Sequence, residues 1–575
     1  MSDNHDQQIF KSLDGAANGA LVIEPDLLAN AVSAAKRPLK LDSHGVCIQS
    51  VRECPEVQRA LLTPLQDMLN TDAAWQDRVE RGFIKGKVKD TRHLKDTRGV
   101  FPQSAMISLL ALVVELAILP LCTLHDTSTK LGKQVFGHGK GGQTMDIIAC
   151  AAQVLEKGRD RQNCAAVSCL DVRSYHDSIM FGVALRGLRH RGISADWSRA
   201  AIRIHRCPRF VMQTGTVRSP PMQRCRGVTI GNRLAALMGK IVMQDILEYV
   251  KPALMPLAFH IESQPLLPMV WSDNIVCFAR SQEAALQMIV QWKKALWNIA
   301  RCSVKQGSCV VVPSSVRKIQ ARQVVMADLV VDIKPEAQIL GAFISCNGSD
   351  TAHRRLLVGR LQAAFARNQK VLCRDWCDEE ARLRFWATLM RGAFYGAATL
   401  RPLLETFTRL SIANTGATRR IQNVLRQPWQ NITIHRKHVN AELSLACEQL
   451  GLDAEFEFCK QLVRWVVHIW RHPESNIYNL LLHQNDMWLQ NKRDQHSSNR
   501  PATRSESGCV FRWADGWLSL IGTSFLSHDP TSGWCFDKGN KIAVRARASF
   551  LKDWVRPPRT DARPLEDLPQ AIVPV

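Results

Sequence analysis

The chain has 575 residues and a formal net charge of +23 at pH 7, with 46% hydrophobic and 22% charged residues. This composition is ordinary for a globular protein, excludes a chain that is disordered throughout, and at this length predicts about two to four domains. The excess of positive charge favours a polyanionic partner, most commonly nucleic acid, although a charge that serves only solubility would give the same balance.

The cysteines and the hydropathy pattern indicate an intracellular protein, nuclear or cytoplasmic. The 18 cysteines are scattered without a CxxC pair, so we interpret them as reduced thiols. The polar first ten residues do not resemble a secretory signal. Residues 105–124 are apolar enough to cross a membrane, but Glu115 lies in their middle and Pro120 interrupts them. We therefore expect a buried helix and no membrane partner.

The first 164 residues combine weak patterns with one basic segment. Residues 1–40 show little periodicity, and an N-terminal extension over residues 1–50 is expected to be partly disordered, whereas 51–70 have a helical pattern. Residues 81–98 hold seven basic and two acidic residues, which predicts either a solvated loop or a phosphate-binding hairpin. A glycine-rich stretch then leads into a predicted helix over residues 143–156.

Residues 165–345 have the pattern of an α/β layer. An apolar strand over residues 165–170 ends at Asp171, and a hairpin over 267–279 has the acidic tip Asp273-Asn274. Ser281 is a plausible N-cap for the helix that follows, and residues 309–312 and 338–344 are two further predicted strands. If adjacent strands bring the two carboxylates together, they form a site for Mg²⁺ of the kind that nucleotidyl transfer needs.

Several segments, in this order, resemble motifs of the reverse transcriptases of non-LTR (LINE-type) retrotransposons. The resemblance covers roughly residues 80–475. Segments 169–177 (CLDVRSYHD), 226–236 (RGVTIGNRLAA) and 271–274 (WSDN) resemble the palm motifs LDxxxAFD, RGxxQGxPLSP and YxDD. The flanking segments that also match are 95–102 (KDTRGVFP), 136–148 (FGHGKGGQTMDII), 338–341 (QILG), 394–399 (FYGAAT) and 464–471 (RWVVHIWR).

The resemblance implies an α+β fold, a right-hand polymerase with fingers, an antiparallel-sheet palm, a helical thumb and a helical C-terminal extension. The implied domains are an N-terminal extension (1–50), a fingers-like region (51–164), a palm (165–347), a thumb and post-thumb helical region (348–490), a linker (491–508), and a small tryptophan-containing tail with a proline-rich end (509–575).

The resemblance also implies roles for individual residues. Asp171, Asp273, Asn274 and the Val172 carbonyl would hold Mg²⁺, with Mn²⁺ as an alternative, and Lys305 would act beside the incoming phosphates. The implied nucleotide-binding residues are Arg98, Tyr175, His176 and Gly231. The implied nucleic-acid-binding residues are Lys85, Lys87, Lys89, Arg226, Leu340, Gly341, Arg464, His468 and Arg471.

Four departures from the family pattern leave alternatives open. Asn274 replaces the second aspartate of YxDD, Ile230 replaces a glutamine, Ala235 and Ala236 replace Ser-Pro, and His176 replaces an aromatic residue. The first hypothesis is an RNA-directed DNA polymerase that uses an RNA template, a DNA primer and deoxynucleoside triphosphates, with no obligate protein partner. The second is a decayed polymerase that only binds nucleic acid. An intron-maturase-like cofactor and a basic scaffold protein are the remaining alternatives.

Overall fold

The computed structural model describes residues 20–35, 47–75, 79–86, 97–100, 104–129, 134–138 and 142–160. It then describes 165–422, except 215, 230, 232, 262–263, 316–321, 375–376 and 398–403. Beyond residue 422 it describes ten positions between 429 and 468 and the segments 526–529 and 533–536. The predicted linker, the proline-rich end, Lys87, Lys89, Ile230, Arg464 and Arg471 lie outside the described residues.

The first helices are α1 (Pro25–Ala34), α2 (Ile48–Glu53) and α3 (Pro55–Asn70). Helix α1 buries Leu28, Ala31 and Val32, which share one helical face. This part of the N-terminal extension, which was expected to be partly disordered, is therefore a packed helix. Two strands follow, β1 (Val79–Gly86) and β2 (Thr97–Val100), and they pair as an antiparallel hairpin.

Helix α4 (Ala105–Thr129) is the apolar segment of the sequence. Its most apolar 18-residue window has a mean hydropathy of 2.5, so by length and composition the helix could cross a membrane, yet 61% of that window is buried inside the molecule. Glu115, in the middle of α4, is fully buried, with Arg233 Nη2 at 2.7 Å and His138 Nε2 at 3.0 Å from its Oε1. The buried charge therefore has partners, as a helix packed within protein requires.

The elements that carry the middle of the chain alternate between helices and short strands. They are, in order, β3 (Val135–Phe136), α5 (Thr144–Asp160), β4 (Ala166–Asp171), α6 (Tyr175–Ser178), α7 (Phe181–His190), α8 (Ala195–Arg206), β5 (Arg209–Thr214), β6 (Val217–Arg218), β7 (Met222–Gln223), α9 (Arg233–Leu254), β8 (His260–Ile261), β9 (Gln264–Pro265), β10 (Met269–Trp271), β11 (Asn274–Ala279), α10 (Gln282–Ala300), β12 (Val310–Pro313), β13 (Gln323–Met326) and β14 (Leu329–Ile333).

A seven-stranded sheet in the order β13-β14-β12-β4-β11-β10-β3 forms the centre of the fold. Its middle strands β12, β4, β11 and β10 pair antiparallel, but β14 lies parallel to β12, and β3 lies parallel to β10. The sheet is therefore mixed rather than antiparallel as predicted. The parallel pair at one end arises because β13 turns the chain back, so that β14 runs in the same direction as β12.

Helices cover both faces of this sheet, which gives a three-layer mixed α/β fold. Along β11, Ile275 and Cys277 belong to one buried cluster and Val276 and Phe278 to the other, as the period of a strand requires. The first cluster includes Trp292 and the apolar stripe of α10, and the second includes the apolar side of α5.

The chain continues into a hairpin and a helical region. Strands β15 (Glu336–Ile339) and β16 (Ala342–Ser345) form the hairpin, so the single strand predicted over 338–344 is wrong. Leu340 and Gly341 make its turn with φ of 47° and 87°, values that end a strand. Helices α11 (Thr351–Leu372), α12 (Glu379–Ala393) and α13 (Leu404–Ile421) confirm the helical pattern beyond 350. Strands β17 (Leu526–Asp529) and β18 (Gly533–Phe536) pair antiparallel.

Candidate active site

The ends of the two central strands bring the predicted acidic residues together. Strand β4 ends at Asp171, whose Cα partner in β11 is Asn274. The Val172 amide donates to the Asp273 carbonyl at 2.9 Å, so Asp171 and Asn274 form the non-hydrogen-bonded type of antiparallel pair. In such a pair the side chains project from the same face, with Cβ atoms about 4.5–5.5 Å apart.

Asp273 lies beside this pair, in the turn of the β10–β11 hairpin. The turn consists of Ser272 and Asp273, and Asn274 is already part of the strand. The predicted tip, Asp273-Asn274, is therefore wrong by one residue. Ser272 takes the left-handed φ of 58°, and Asn274 Nδ2 donates to Asp273 Oδ1 at 3.1 Å. The carboxylate of Asp273 is thus fixed against the side chain that faces Asp171.

Lys305 contacts Asp171 through both its main chain and its side chain. Its amide donates to the Asp171 carbonyl at 2.8 Å, and its Nζ donates to Asp171 Oδ2 at 2.7 Å. Ser308 accepts from the Asp171 amide at 3.1 Å. The sequence placed Lys305 beside incoming phosphates, and in the structure its ammonium lies on the carboxylate itself.

The oxygens at this edge suit a hard divalent cation. Asp171 Oδ1 is buried and has no hydrogen-bond partner among the described residues, and such an atom needs a compensating group. Asp273 and Asn274 are half-buried and offer a carboxylate and an amide oxygen. Mg²⁺ prefers oxygen ligands of this kind, so the donor set fits the predicted ion, with the Lys305 ammonium as a competing positive charge.

Tyr175 and His176, both predicted to contact a nucleotide, follow Asp171 in the short helix α6. Tyr175 is fully buried, and its hydroxyl donates to the Gly239 carbonyl at 2.6 Å. Burial raises the pKa of this phenol well above its usual range. Tyr175 is therefore a core residue in this structure, and its predicted contact with a nucleotide stays a prediction. His176 is half-buried and packs edge-on against the Tyr175 ring, with ring centroids 5.3 Å apart.

The predicted RGxxxG loop docks on the chain just after α6. The Gly227 amide donates to the Ile179 carbonyl at 2.7 Å, and a Cβ on Gly227 would lie 2.7 Å from the Asp177 carbonyl oxygen. Gly227 has a φ of 87°, so the backbone conformation and the close approach to Asp177 both favour glycine here. Arg226 and Gly231 of the same loop are exposed.

The predicted basic hairpin is formed by β1 and β2. Lys85 and Arg98 are Cα partners across this hairpin, which favours the hairpin over the solvated loop that the sequence left open. Strand β1 also pairs in parallel with β5, which joins the hairpin to the segment that leads into the RGxxxG loop.

The Leu340-Gly341 turn contacts the helical region. Arg360 donates to the Gly341 carbonyl through Nη2 and to the Tyr395 carbonyl through Nη1, the latter at 2.6 Å. The Tyr395 hydroxyl in turn hydrogen-bonds Thr144 at the start of α5. Arg360 thus links the 340–341 turn, which was predicted to bind nucleic acid, to Tyr395 of segment 394–399.

Asp146 joins two predicted motifs that are more than 300 residues apart. Its Oδ2 accepts from the Gln143 amide at 2.9 Å, which caps α5. Its Oδ1 accepts from Trp465 Nε1 at 3.0 Å, and His468 Nε2 lies 3.2 Å from Oδ2. His468, which was predicted to bind nucleic acid, contacts this buried carboxylate, and its role toward nucleic acid stays a prediction.

Sequence reasoning missed Ser308 and Arg360. Ser308 follows Lys305 in a turn, and nothing in the local sequence indicates that its hydroxyl meets Asp171. Arg360 is one of many basic residues along α11, and only its position opposite the 340–341 turn distinguishes it. Asp146 lies within a motif that the sequence singled out, and its place three residues after Gln143 is a signal for a helix cap.

Comparisons with known proteins add little to this geometry. No protein-family model matches the chain, and no curated protein sequence matches it. One solved structure to which the chain is similar is an apo telomerase from Candida tropicalis truncated from the C-terminal domain, with 8% identity and a TM-score of 0.30. The match covers 40% of this chain and 43% of that chain, so the chain spans less than half the length of that structure.

Proposed function

We propose that this protein is a reverse-transcriptase-like nucleotidyltransferase, an RNA-directed DNA polymerase. Asp171 and Asp273 would hold Mg²⁺ or Mn²⁺, with help from Asn274 and the Val172 carbonyl. The observation that carries the proposal is the pairing of β4 with β11, which sets the Asp171 side chain opposite Asn274 and next to Asp273. The unpartnered, buried Oδ1 of Asp171, judged within the described part of the chain, supports the same assignment.

When bound, the divalent cation would neutralise charge on the phosphates and activate the primer hydroxyl. The residues of the chain itself would position the reactants. The two-residue turn at Ser272 and Asp273 fixes one carboxylate, and the Lys305 main-chain bond fixes the end of β4 that carries the other. Positioning and charge complementarity of this kind account for most of the catalysis in phosphoryl transfer.

The proposed partners are an RNA template, a DNA primer and deoxynucleoside triphosphates. The net charge of +23 supports a polyanionic ligand. The β1–β2 hairpin with Lys85 and Arg98, and the exposed Arg226, are the basic positions proposed to contact it.

Primer extension on an RNA template, in Mg²⁺ and in Mn²⁺, tests the proposal. We expect extension by the natural chain and about a hundredfold loss or more in Asp273→Asn, which keeps the side-chain size but removes the charge. Asp328→Asn is a matched control because Asp328 is also in a hairpin turn, is fully exposed and lies in the β13–β14 connection. Extension that persists in Asp273→Asn, or that falls equally in Asp328→Asn, would contradict the site.

A second candidate is a polymerase fold that has lost catalysis and binds nucleic acid. Two observations favour it: the neutral Asn274 opposite Asp171, and the Lys305 ammonium at 2.7 Å from Asp171 Oδ2. Both reduce the negative charge available to cations. This candidate predicts salt-sensitive binding of RNA and DNA without extension.

Asn274→Asp distinguishes the two candidates. If the natural chain is inactive and this variant extends a primer, the site is intact apart from one charge. If both are inactive while nucleic-acid binding remains, the binding protein is the better description.

A further inference from the structure

Three helices bring two imidazoles and a carboxylate together, apart from the candidate active site. His125 lies near the end of α4, His190 is the last residue of α7, and Glu248 lies in α9. One ligand atom from each side chain lies within 4.8 Å of the others. The rings of His125 and His190 meet edge-on, with centroids 5.5 Å apart.

One imidazole of this cluster has a ring nitrogen that can serve a metal. His125 Nδ1 is buried and has no hydrogen-bond partner among the described residues. A buried imidazole nitrogen that has no hydrogen-bond partner can offer its lone pair to a metal.

Two ion pairs lie beside the cluster, and Glu248 adds a carboxylate to it. Arg191 donates to Asp245 at 2.8 Å, and Lys240 donates to Asp126 at 2.6 Å, so these four charges cancel in pairs. Glu248 remains to balance a cation. Asp245 Oδ1 also lies 3.9 Å from His190 Nδ1, which is beyond hydrogen-bond distance.

We propose that His125, His190 and Glu248 bind a divalent transition-metal ion of the zinc class. Two imidazoles favour zinc-class ions over Mg²⁺ or Ca²⁺, which take oxygen ligands. Zinc ligands lie about 2.0–2.1 Å from the ion. The three ligand atoms of this cluster must therefore move closer to one another when a metal binds. His190 and Glu248 are exposed, and rotation of their side chains provides that closure.

A metal in this position would join α4, α7 and α9 at one point. Three protein ligands leave a fourth position for water. Because the ion would bind the folded chain and not the unfolded one, it would raise the stability of this helical layer. The site shares no residue with the Asp171 edge. A negative result for metal binding here would therefore not affect the polymerase proposal, and the reverse also holds.

Metal titration of the EDTA-treated full chain tests this site. We expect one Zn²⁺ per chain, measured by competition with a chromophoric chelator, and a rise in the thermal unfolding midpoint with Zn²⁺ but not with Mg²⁺. We expect about tenfold weaker binding or more, and loss of the rise in midpoint, in His190→Ala and in Glu248→Gln. Both residues are exposed, so unfolding without metal should stay unchanged and will verify that the variants fold.

Other histidines and cysteines of the chain could also bind Zn²⁺, so matched control variants are needed. His260→Ala and Glu283→Gln remove an exposed imidazole and an exposed helical carboxylate outside the cluster, and they should leave the affinity unchanged. Equal affinity in the cluster variants and the natural chain would overturn the proposal. So would a Co²⁺ complex whose spectrum shows thiolate charge-transfer bands, because the proposed site contains no sulfur.

Discussion

The Lys305 ammonium lies 2.7 Å from Asp171 Oδ2, although the two residues are 134 positions apart in sequence. The same carboxylate has a buried Oδ1 without a hydrogen-bond partner among the described residues. One oxygen of Asp171 is thus paired with the Lys305 ammonium, and the other has no partner among the described residues. Because Lys305 contacts only one of the two oxygens, removing its charge should change the affinity of the other oxygen for a cation.

The first prediction concerns Lys305→Gln. Removing the ammonium leaves Asp171 and Asp273 with their full negative charge, so Mn²⁺ should bind several-fold more tightly. The gain is limited because Lys305 is more than half exposed and such pairs contribute about 0.2–1 kcal/mol. Free Mn²⁺ measured by electron paramagnetic resonance gives the affinity. Lys334→Gln, which breaks the similar pair with Asp332 elsewhere on the sheet, is the control. Unchanged or weaker Mn²⁺ binding in Lys305→Gln would contradict the assignment.

The second prediction concerns Gly227→Ala. The φ of 87° costs any other residue about 1–3 kcal/mol, and the new Cβ would also lie 2.7 Å from the Asp177 carbonyl oxygen. Gly192→Ala isolates the first cost, since Gly192 has a φ of 75° and no atom lies within 4 Å of the position that a Cβ would take. In denaturant titrations Gly227→Ala should be the less stable of the two by about 1–3 kcal/mol. Equal stability would mean that the loop moves freely off Asp177.

The third prediction concerns Asp146→Asn. The carboxylate accepts hydrogen bonds from Gln143 and Trp465 and faces His468. An amide has only one acceptor oxygen, so at least one buried donor loses its partner, at about 1–3 kcal/mol. Hydrogen exchange should rise around Trp465 and at the start of α5. Asp378→Asn is the control, because Asp378 is an exposed N-cap of α12 and asparagine caps equally well. Unchanged exchange near Trp465 would argue against the contact.

The fourth prediction concerns pH. Burial lowers the pKa of His205 to about 3 and that of His353 to about 4. Below an unfolded-state pKa of about 6.5 the unfolded chain binds more protons than the folded one, so stability is complete above that pH and falls as the pH drops toward 4.

Each buried histidine should add up to about 1.4 kcal/mol per pH unit to the loss of stability. His353 Nδ1 accepts from the Phe343 amide and Nε2 donates to the Gly396 carbonyl. Glutamine can satisfy one of these contacts without titrating. His353→Gln should therefore show a shallower loss of unfolding free energy between about pH 6.5 and 4.5. The same slope as the natural chain would show that His353 is already protonated there.

Local signals predicted local structure well. Ser281 Oγ accepts from the Ala284 amide at 3.1 Å, as the predicted N-cap requires, and α10 begins at the next residue. The predicted strand that ends in Asp171 is present as β4, and the helix predicted over residues 143–156 is present as α5. These elements depend on periodicity and caps within a few residues of each other, which the sequence displays directly.

The errors arose where a backbone angle or a distant contact decides the structure. Asparagine tolerates a left-handed φ better than serine, which favoured a turn at Asn274, but Ser272 takes that angle. Leu340 also has a left-handed φ, which leucine rarely adopts and the pattern of residues 338–344 does not reveal. Tyr175 lies in a helix too short to show periodicity, so its burial could not be predicted.

The hydrogen bond from Trp465 to Asp146 has a consequence for synthesis of the chain. Helix α5 packs on one face of the central sheet, yet the donor that completes its buried cap is translated 319 residues later. In a nascent chain that has released only the sheet strands, Asp146 still accepts from the Gln143 amide but lacks its contacts with Trp465 and His468. Folding of this layer should finish only after residue 468 has left the ribosome, which makes the interval before then the period in which the chain is most exposed to aggregation.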